Sequence, residues 1–198
     1  ENTLELVGQS DVKQGRVGDP GEFNRPRVSP DGTQAVVEVR DPDTDDSALW
    51  LVDLSTGLSS RFTFDRGDEE GDEWTPDSKT IVFTAEVDSI ERIMTRPVEG
   101  AGGASILHEG TMNLALSGVS PDGKKVFLAR DDRESDWNVY SLELETGELQ
   151  LLIETEAADF GGVLSPDGRW LAYSSGSSGV WNIYVRPAAG GDRRWQVN

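Results

Sequence analysis

Most side chains with chemical potential in this sequence are carboxylates. Aspartate and glutamate number 37 against 18 lysines and arginines, one histidine and no cysteine. They crowd into Asp41-Pro42-Asp43-Thr44-Asp45-Asp46, Asp65 to Glu73, Glu86-Val87-Asp88, Asp131-Asp132-Arg133-Glu134-Ser135-Asp136 and Glu154 to Asp159. Such runs could hold a hard cation, supply acid–base pairs or attract a basic partner. The Asp41-x-Asp43-x-Asp45 spacing resembles that of a calcium loop. Position six is Asp46 rather than glycine, however, and position twelve is Val52 rather than glutamate. A solvated acidic loop is therefore the expectation. Paired carboxylates for glycoside chemistry require a defined separation, which spacing along the chain does not supply.

Other chemistries find no support. Nucleophilic catalysis needs a nucleophile oriented by a base, and His108 is the only histidine, with no Gly-x-Ser-x-Gly segment near it. Without cysteine there are no disulfides, thiolate metal sites or Cys nucleophile. A net charge of −19 with only four lysines opposes binding to nucleic acid or anionic membrane. No apolar run approaches the roughly 18–20 residues of a membrane span. The sequence thus assigns no catalytic, cofactor-binding or metal residue, and predicts a non-enzyme without a cofactor.

The elements that carry these carboxylates follow from a repeat. Ser29-Pro30-Asp31-Gly32, Thr75-Pro76-Asp77-Ser78, Ser120-Pro121-Asp122-Gly123 and Ser165-Pro166-Asp167-Gly168 place their aspartates 46, 45 and 45 residues apart. Proline presets φ, aspartate accepts nearby N–H groups and glycine adopts positive φ, so these are turns; Ser78 in the glycine position predicts a slightly strained one. A wholly apolar triplet follows each turn: Ala35-Val36-Val37, Ile81-Val82-Phe83, Val126-Phe127-Leu128 and Leu171-Ala172-Tyr173. Three consecutive apolar positions predict strands covered on both faces.

Another strand follows in each unit, at Leu49 to Val52, Ile93-Met94, Val139 to Leu142 and Ile183 to Val185. After a glycine-containing turn, a last strand is expected at Ser60 to Phe64, Ser105 to His108, Leu149 to Ile153 and Trp195 to Val197. A first strand precedes each turn, as at Arg25 to Val28 and Gly161 to Leu164. Four antiparallel strands per unit and no helix predict an all-β fold, a β-propeller of four-stranded blades. Residues 1–198 form a single domain, with a half blade at 1–20 (strands at Thr3 to Val7 and Lys13 to Val17) and blades at 21–65, 66–110, 111–155 and 156–198. About four and a half blades is an arc rather than a ring. It reads as an excised piece of a larger propeller, or as an arc whose open edges another chain covers. Unpaired edges predict self-association.

Ser-Pro-Asp-Gly, an apolar strand and then Trp137-Asn138-Val139-Tyr140 or Trp181-Asn182-Ile183-Tyr184 resembles the WD-like repeat of TolB-type propellers, over essentially the whole chain. Leu49 to Leu54, Arg61 to Asp65 and Trp170 to Pro187 are most similar to the extracytoplasmic propeller of bacterial eukaryotic-like serine/threonine kinases. The resemblance implies a periplasmic or extracytoplasmic binding or sensor module. The alternative it leaves open is a non-catalytic gate of an oligopeptidase-type serine peptidase. A propeller enzyme using carboxylates and a divalent metal is a third reading.

Blade topology sends the loop between second and third strands, and the link to the next blade, to the same face. The acidic runs then form one strongly acidic face, suited to a protein or basic peptide partner. The opposite face carries the Pro-Asp turns with Lys79, Lys124, Lys125, Arg169, Arg193 and Arg194. The tryptophans fall at repeat-related strand positions, which predicts packing within or between blades.

Overall fold

The computed structural model describes residues 2–7, 13–21, 23–41, 43–64, 67–100, 102–111, 113–132, 136–191 and 193–197. Among them are eighteen strands and no helix. A hairpin of β1 (Asn2–Val7) and β2 (Lys13–Gly21) precedes four antiparallel four-stranded sheets, each ordered as in the sequence. The first sheet comprises β3 (Phe23–Val28), β4 (Gln34–Arg40), β5 (Ser47–Asp53) and β6 (Ser59–Arg61). The second contains β7 (Asp68–Trp74), β8 (Thr80–Val87), β9 (Ile90–Pro97) and β10 (Ser105–Gly110). β11 (Leu114–Val119), β12 (Lys125–Asp131), β13 (Trp137–Glu143) and β14 (Leu149–Ile153) form the third. The fourth is built from β15 (Asp159–Leu164), β16 (Trp170–Ser175), β17 (Asn182–Pro187) and β18 (Trp195–Val197).

The first strands converge: β7 lies against β3 and β11, and β11 against β15. The sheets are thus arranged like propeller blades, as the apolar triplets predict. Val36, Leu49, Leu51 and Phe62 pack on Trp74, Ile81 and Phe83 of the second sheet. Val82 and Ile93 meet Val126, Leu128 and Leu142 of the third, while Phe127, Val139 and Ile153 meet Leu171, Tyr173 and Tyr184 of the fourth. Alternate residues of one strand therefore serve opposite interfaces, and each fully buried aliphatic or aromatic side chain contributes about 1.5–3 kcal/mol.

The Pro-Asp segments are turns with a shared bonding scheme. Ser29 Oγ donates to Asp31 Oδ1 at 2.7 Å and accepts the Gln34 N–H at 3.0 Å. Thr75, Ser120 and Ser165 repeat this with Asp77, Asp122 and Asp167. The donated hydroxyl hydrogen bond lowers each aspartate's pKa, that of Asp167 to about 2. Gly32, Gly123 and Gly168 have φ of 71–72°, and Ser78 takes φ 61° in their place. Its hydroxyl accepts the Asp31 N–H of the preceding turn at 3.1 Å, tying the first two blades together.

Some strand expectations require correction: Glu86 and Val87, Asp131 and Asp159, expected in loops, lie on β8, β12 and β15. β6 ends at Arg61, so Phe62 to Phe64 lie beyond it, with Phe62 buried in the core instead. Asp68 to Glu73, expected in a loop, belong to β7, the first strand of the second blade. Pro42, Asp65 and Arg133 to Ser135 of the acidic runs lie outside the described residues.

Candidate functional site

Three aromatic rings form a row at the junction of the third and fourth blades. The Trp137 and Phe160 centroids are 4.7 Å apart, and those of Phe160 and Trp181 5.8 Å. Trp137 opens β13 directly after the β12–β13 loop, Phe160 is the second residue of β15, and Trp181 immediately precedes β17. All three follow connections at the same end of their sheets. Trp181 is 58% exposed, so one end of the row faces solvent.

Local bonding orders the loops and strand ends that carry two of these rings. Asp132 Oδ2 accepts from the Tyr140 hydroxyl and, at 3.0 Å, from Asn138 Nδ2, while Arg130 Nε donates to Asp132 Oδ1 at 2.5 Å. Burial raises the Asp132 pKa, but these hydrogen bonds outweigh it and the net shift is downward. Tyr140 is pushed up to about 12, chiefly by burial and its bond to Asp132. Asp136, at φ 69°, accepts the Trp137 N–H at 3.0 Å. Beside Trp181, Asn182 Nδ2 donates to Ser178 Oγ at 2.7 Å and to the Val180 carbonyl at 3.1 Å. The sequence signals Trp137 and Trp181 through the repeated Trp-Asn-x-Tyr phrase, but it does not show Phe160 between them. Only Trp74 of the six tryptophans is buried in the core; its Nε1 donates to the Arg27 carbonyl at 3.0 Å.

The acidic loop of the first blade is organised internally. Asp41 Oδ1 accepts the Asp43 N–H at 2.9 Å, and Asp45 pairs with Arg40 at 2.8 Å. These bonds engage the Asp41 and Asp45 carboxylates within their own loop. Among the described residues no group of three or more His, Cys, Asp or Glu side chains is arranged to hold a metal. His108 is half-buried on β10, where burial and then Arg130 lower its pKa.

Sequence reasoning did not foresee that Glu69 and Asp72 of the acidic run 65–73 would be buried, with Glu38, between the first and second blades. Glu38 on β4 and Glu69 and Asp72 on β7 are buried. Burial raises the pKa of Glu38, with Glu70 adding to it. Asp72 is driven to about 7 by burial. Glu91 also rises to about 7, through burial and then Glu86, Glu70 and Asp68. Arg25 and Arg27 of β3 reach toward β7, pairing with Glu70 at 3.9 Å and Glu73 at 3.2 Å.

TolB from Acinetobacter baumannii superposes with a TM-score of 0.80 at 21% identity, covering 98% of this chain and 48% of that one. The fold is that of a TolB-type propeller. A prolyl endopeptidase structure gives a TM-score of 0.75 at 17% identity, over 98% of this chain and 32% of that enzyme. The uncharacterised peptidase YuxL of Bacillus subtilis is 23% identical over 190 residues, 76% of this chain and 29% of its own length. An uncharacterised Agrobacterium fabrum protein, Atu1656, is 34% identical over 71 residues, 34% of this chain and 24% of that protein. The chain therefore spans less than a third of either sequence relative. No protein-family model matches it. Among the described residues, no helix is long and apolar enough to cross a membrane.

Proposed function

We propose that this TolB-type propeller is a non-enzymatic recognition module that binds a basic protein or peptide segment through its acidic loop face, outside the cytoplasm. The observation that carries the reading is the Trp137–Phe160–Trp181 row, open to solvent at Trp181 and flanked by loops bearing Asp132, Asp136, Glu154 and Glu156. Aromatic faces attract cations, and each such contact is worth about 0.5–2 kcal/mol depending on desolvation. Surrounding carboxylates raise the local concentration of a cationic partner and set its on-rate. The antiparallel order of each sheet sends these connections to one end, which supports a single acidic surface. The sensor role and the resemblance to kinase-linked propellers belong to the same reading.

Binding of a fluorescein-labelled hexa-arginine peptide tests it. Trp181→Ala should weaken binding about tenfold, and added salt should weaken it further. Equal affinity for a hexa-glutamate peptide, or no effect of Trp181→Ala, would overturn the proposal. The likeness to a prolyl endopeptidase and to YuxL favours one second reading, a propeller that gates a separate hydrolase domain. A hydrolase segment with Gly-x-Ser-x-Gly in the same gene would support that reading instead.

A further inference from the structure

The cleft between the third and fourth blades holds two arginines, Arg186 and Arg194, that make no ion pair with a carboxylate among the described residues. Several basic groups of this acidic chain pair with a carboxylate, as Arg27 does with Glu73 and Lys125 with Glu143. Arg186, on β17, donates from Nη1 to the Leu152 carbonyl of β14 at 3.2 Å, bridging the two blades. Arg194, just before β18, donates to the Tyr173 hydroxyl at 3.4 Å and to Ser177 Oγ at 3.3 Å. Its guanidinium carbon lies 4.5 Å from the Tyr184 ring centroid, and Tyr184 stacks on Tyr173.

Every one of these contacts is to a carbonyl, a hydroxyl or a ring face. They orient the guanidinium groups without discharging them, so both side chains keep positive charge and spare N–H donors. Both line one cavity of about 310 Å³, together with Thr155, Tyr173 and Glu154. At about 30 Å³ per water this space holds roughly ten waters, enough for a ligand of amino-acid size. The buried Asp159 lies within electrostatic reach of Arg194 but outside ion-pair distance.

We propose that this cleft is a binding site for a small oxyanion, a carboxylate or a phosphate, gripped by Arg186 and Arg194. The planar guanidinium fork matches both groups with two parallel N–H···O bonds, which a lysine cannot reproduce. Glu154 on the same wall disfavours ligands of high negative charge. Glu154 borders both this cleft and the acidic loop surface, but the two arginines are opposite in sign to that surface, so the site stands whether or not a basic peptide binds there.

Isothermal calorimetry on the full chain at low salt, with inorganic phosphate and N-acetyl-alanine as probes, tests the assignment. At least one probe should bind; Arg186→Gln and Arg194→Gln should each weaken it at least tenfold, and Glu154→Gln should strengthen it. Arg194→Lys keeps the charge and loses the fork, so it should also weaken binding and provides a second variant if Arg194→Gln does not fold. Lys79→Gln, outside the cleft, should leave affinity unchanged. Phosphate binding alone identifies a phosphoryl ligand, and N-acetyl-alanine binding alone a carboxylate. Binding of neither probe at millimolar concentration, or binding that survives the arginine substitutions, overturns the proposal.

Discussion

At the bulge in β7, Asp72 is 2% exposed, and neither carboxylate oxygen has a hydrogen-bond partner among the described residues. Burial dominates and raises the pKa to about 7; the polar backbone at Asp72 itself and then Arg27 of β3 favour the ionised form, while Glu73 of β7 and Glu38 of β4 oppose it. Between the ordinary aspartate value of 3.8 and about 7 the folded protein holds a proton that the unfolded chain has released. Stability therefore falls as pH rises through that window, and the cost is complete above it. The shift corresponds to about 4 kcal/mol. Asp72→Asn should raise the melting temperature at pH 8 and flatten its fall between pH 5 and 8. A variant with the wild-type pH profile would show that Asp72 does not titrate in this range. Ser78 illustrates the opposite kind of residue: its positive φ costs roughly 1–2 kcal/mol, offset in part by the hydrogen bond it accepts from Asp31.

Among the elements, β15 shows how closely a first strand approaches its neighbour. A Cβ added at Gly162 would lie 2.7 Å from Val139 Cγ1 and 3.5 Å from Phe127 Cβ, both in the third blade. The Gly162 carbonyl also accepts from Ser117 Oγ of β11 at 3.0 Å. Gly162→Val should thus wedge the third and fourth blades apart and destabilise the protein by about 1–3 kcal/mol, measured by urea denaturation. An unchanged midpoint would mean that β15 can withdraw without loss. Strands like β4, β8 and β12 were legible in the sequence because their apolar triplets stand out against polar turns. β7 was not, because Asp-Glu-Glu-Gly-Asp-Glu-Trp shows no apolar alternation; it becomes a strand through pairing with β8, with Trp74 anchoring one end. The aromatic row and the arginine cleft escaped notice for a related reason. Each joins residues from two blades, and spacing along one repeat does not report which side chains meet across an interface.

Across the whole molecule, the residue five places past each turn aspartate reports what covers the following side of its blade. Val36, Val82 and Phe127 are buried against the second, third and fourth sheets in turn. The fourth such position is Ala172, only half-buried, on a face it shares with its cross-strand neighbours Val163 and Val185, and through Val185 with Trp195. Ile183 pairs with Val197 on β18, and Trp170 meets Trp195 edge-on at 5.7 Å. Val163, Trp170, Ile183, Trp195 and Val197 are each 39–50% exposed. Burying an apolar sheet face of this kind recovers about 25 cal/mol per Å², which favours association. The net charge of −19 works against contact between copies, and salt screens that repulsion while leaving apolar burial intact. The 198-residue chain should therefore self-associate with rising concentration in sedimentation velocity, and more strongly at 0.5 M than at 0.05 M salt. Ile183→Lys combined with Val197→Lys should return it to monomer with little change in melting temperature, because both side chains are already partly in water. A clean monomer at high concentration and high salt would show that this face is stable uncovered, and an oligomer that persists in the double variant would place the contact elsewhere.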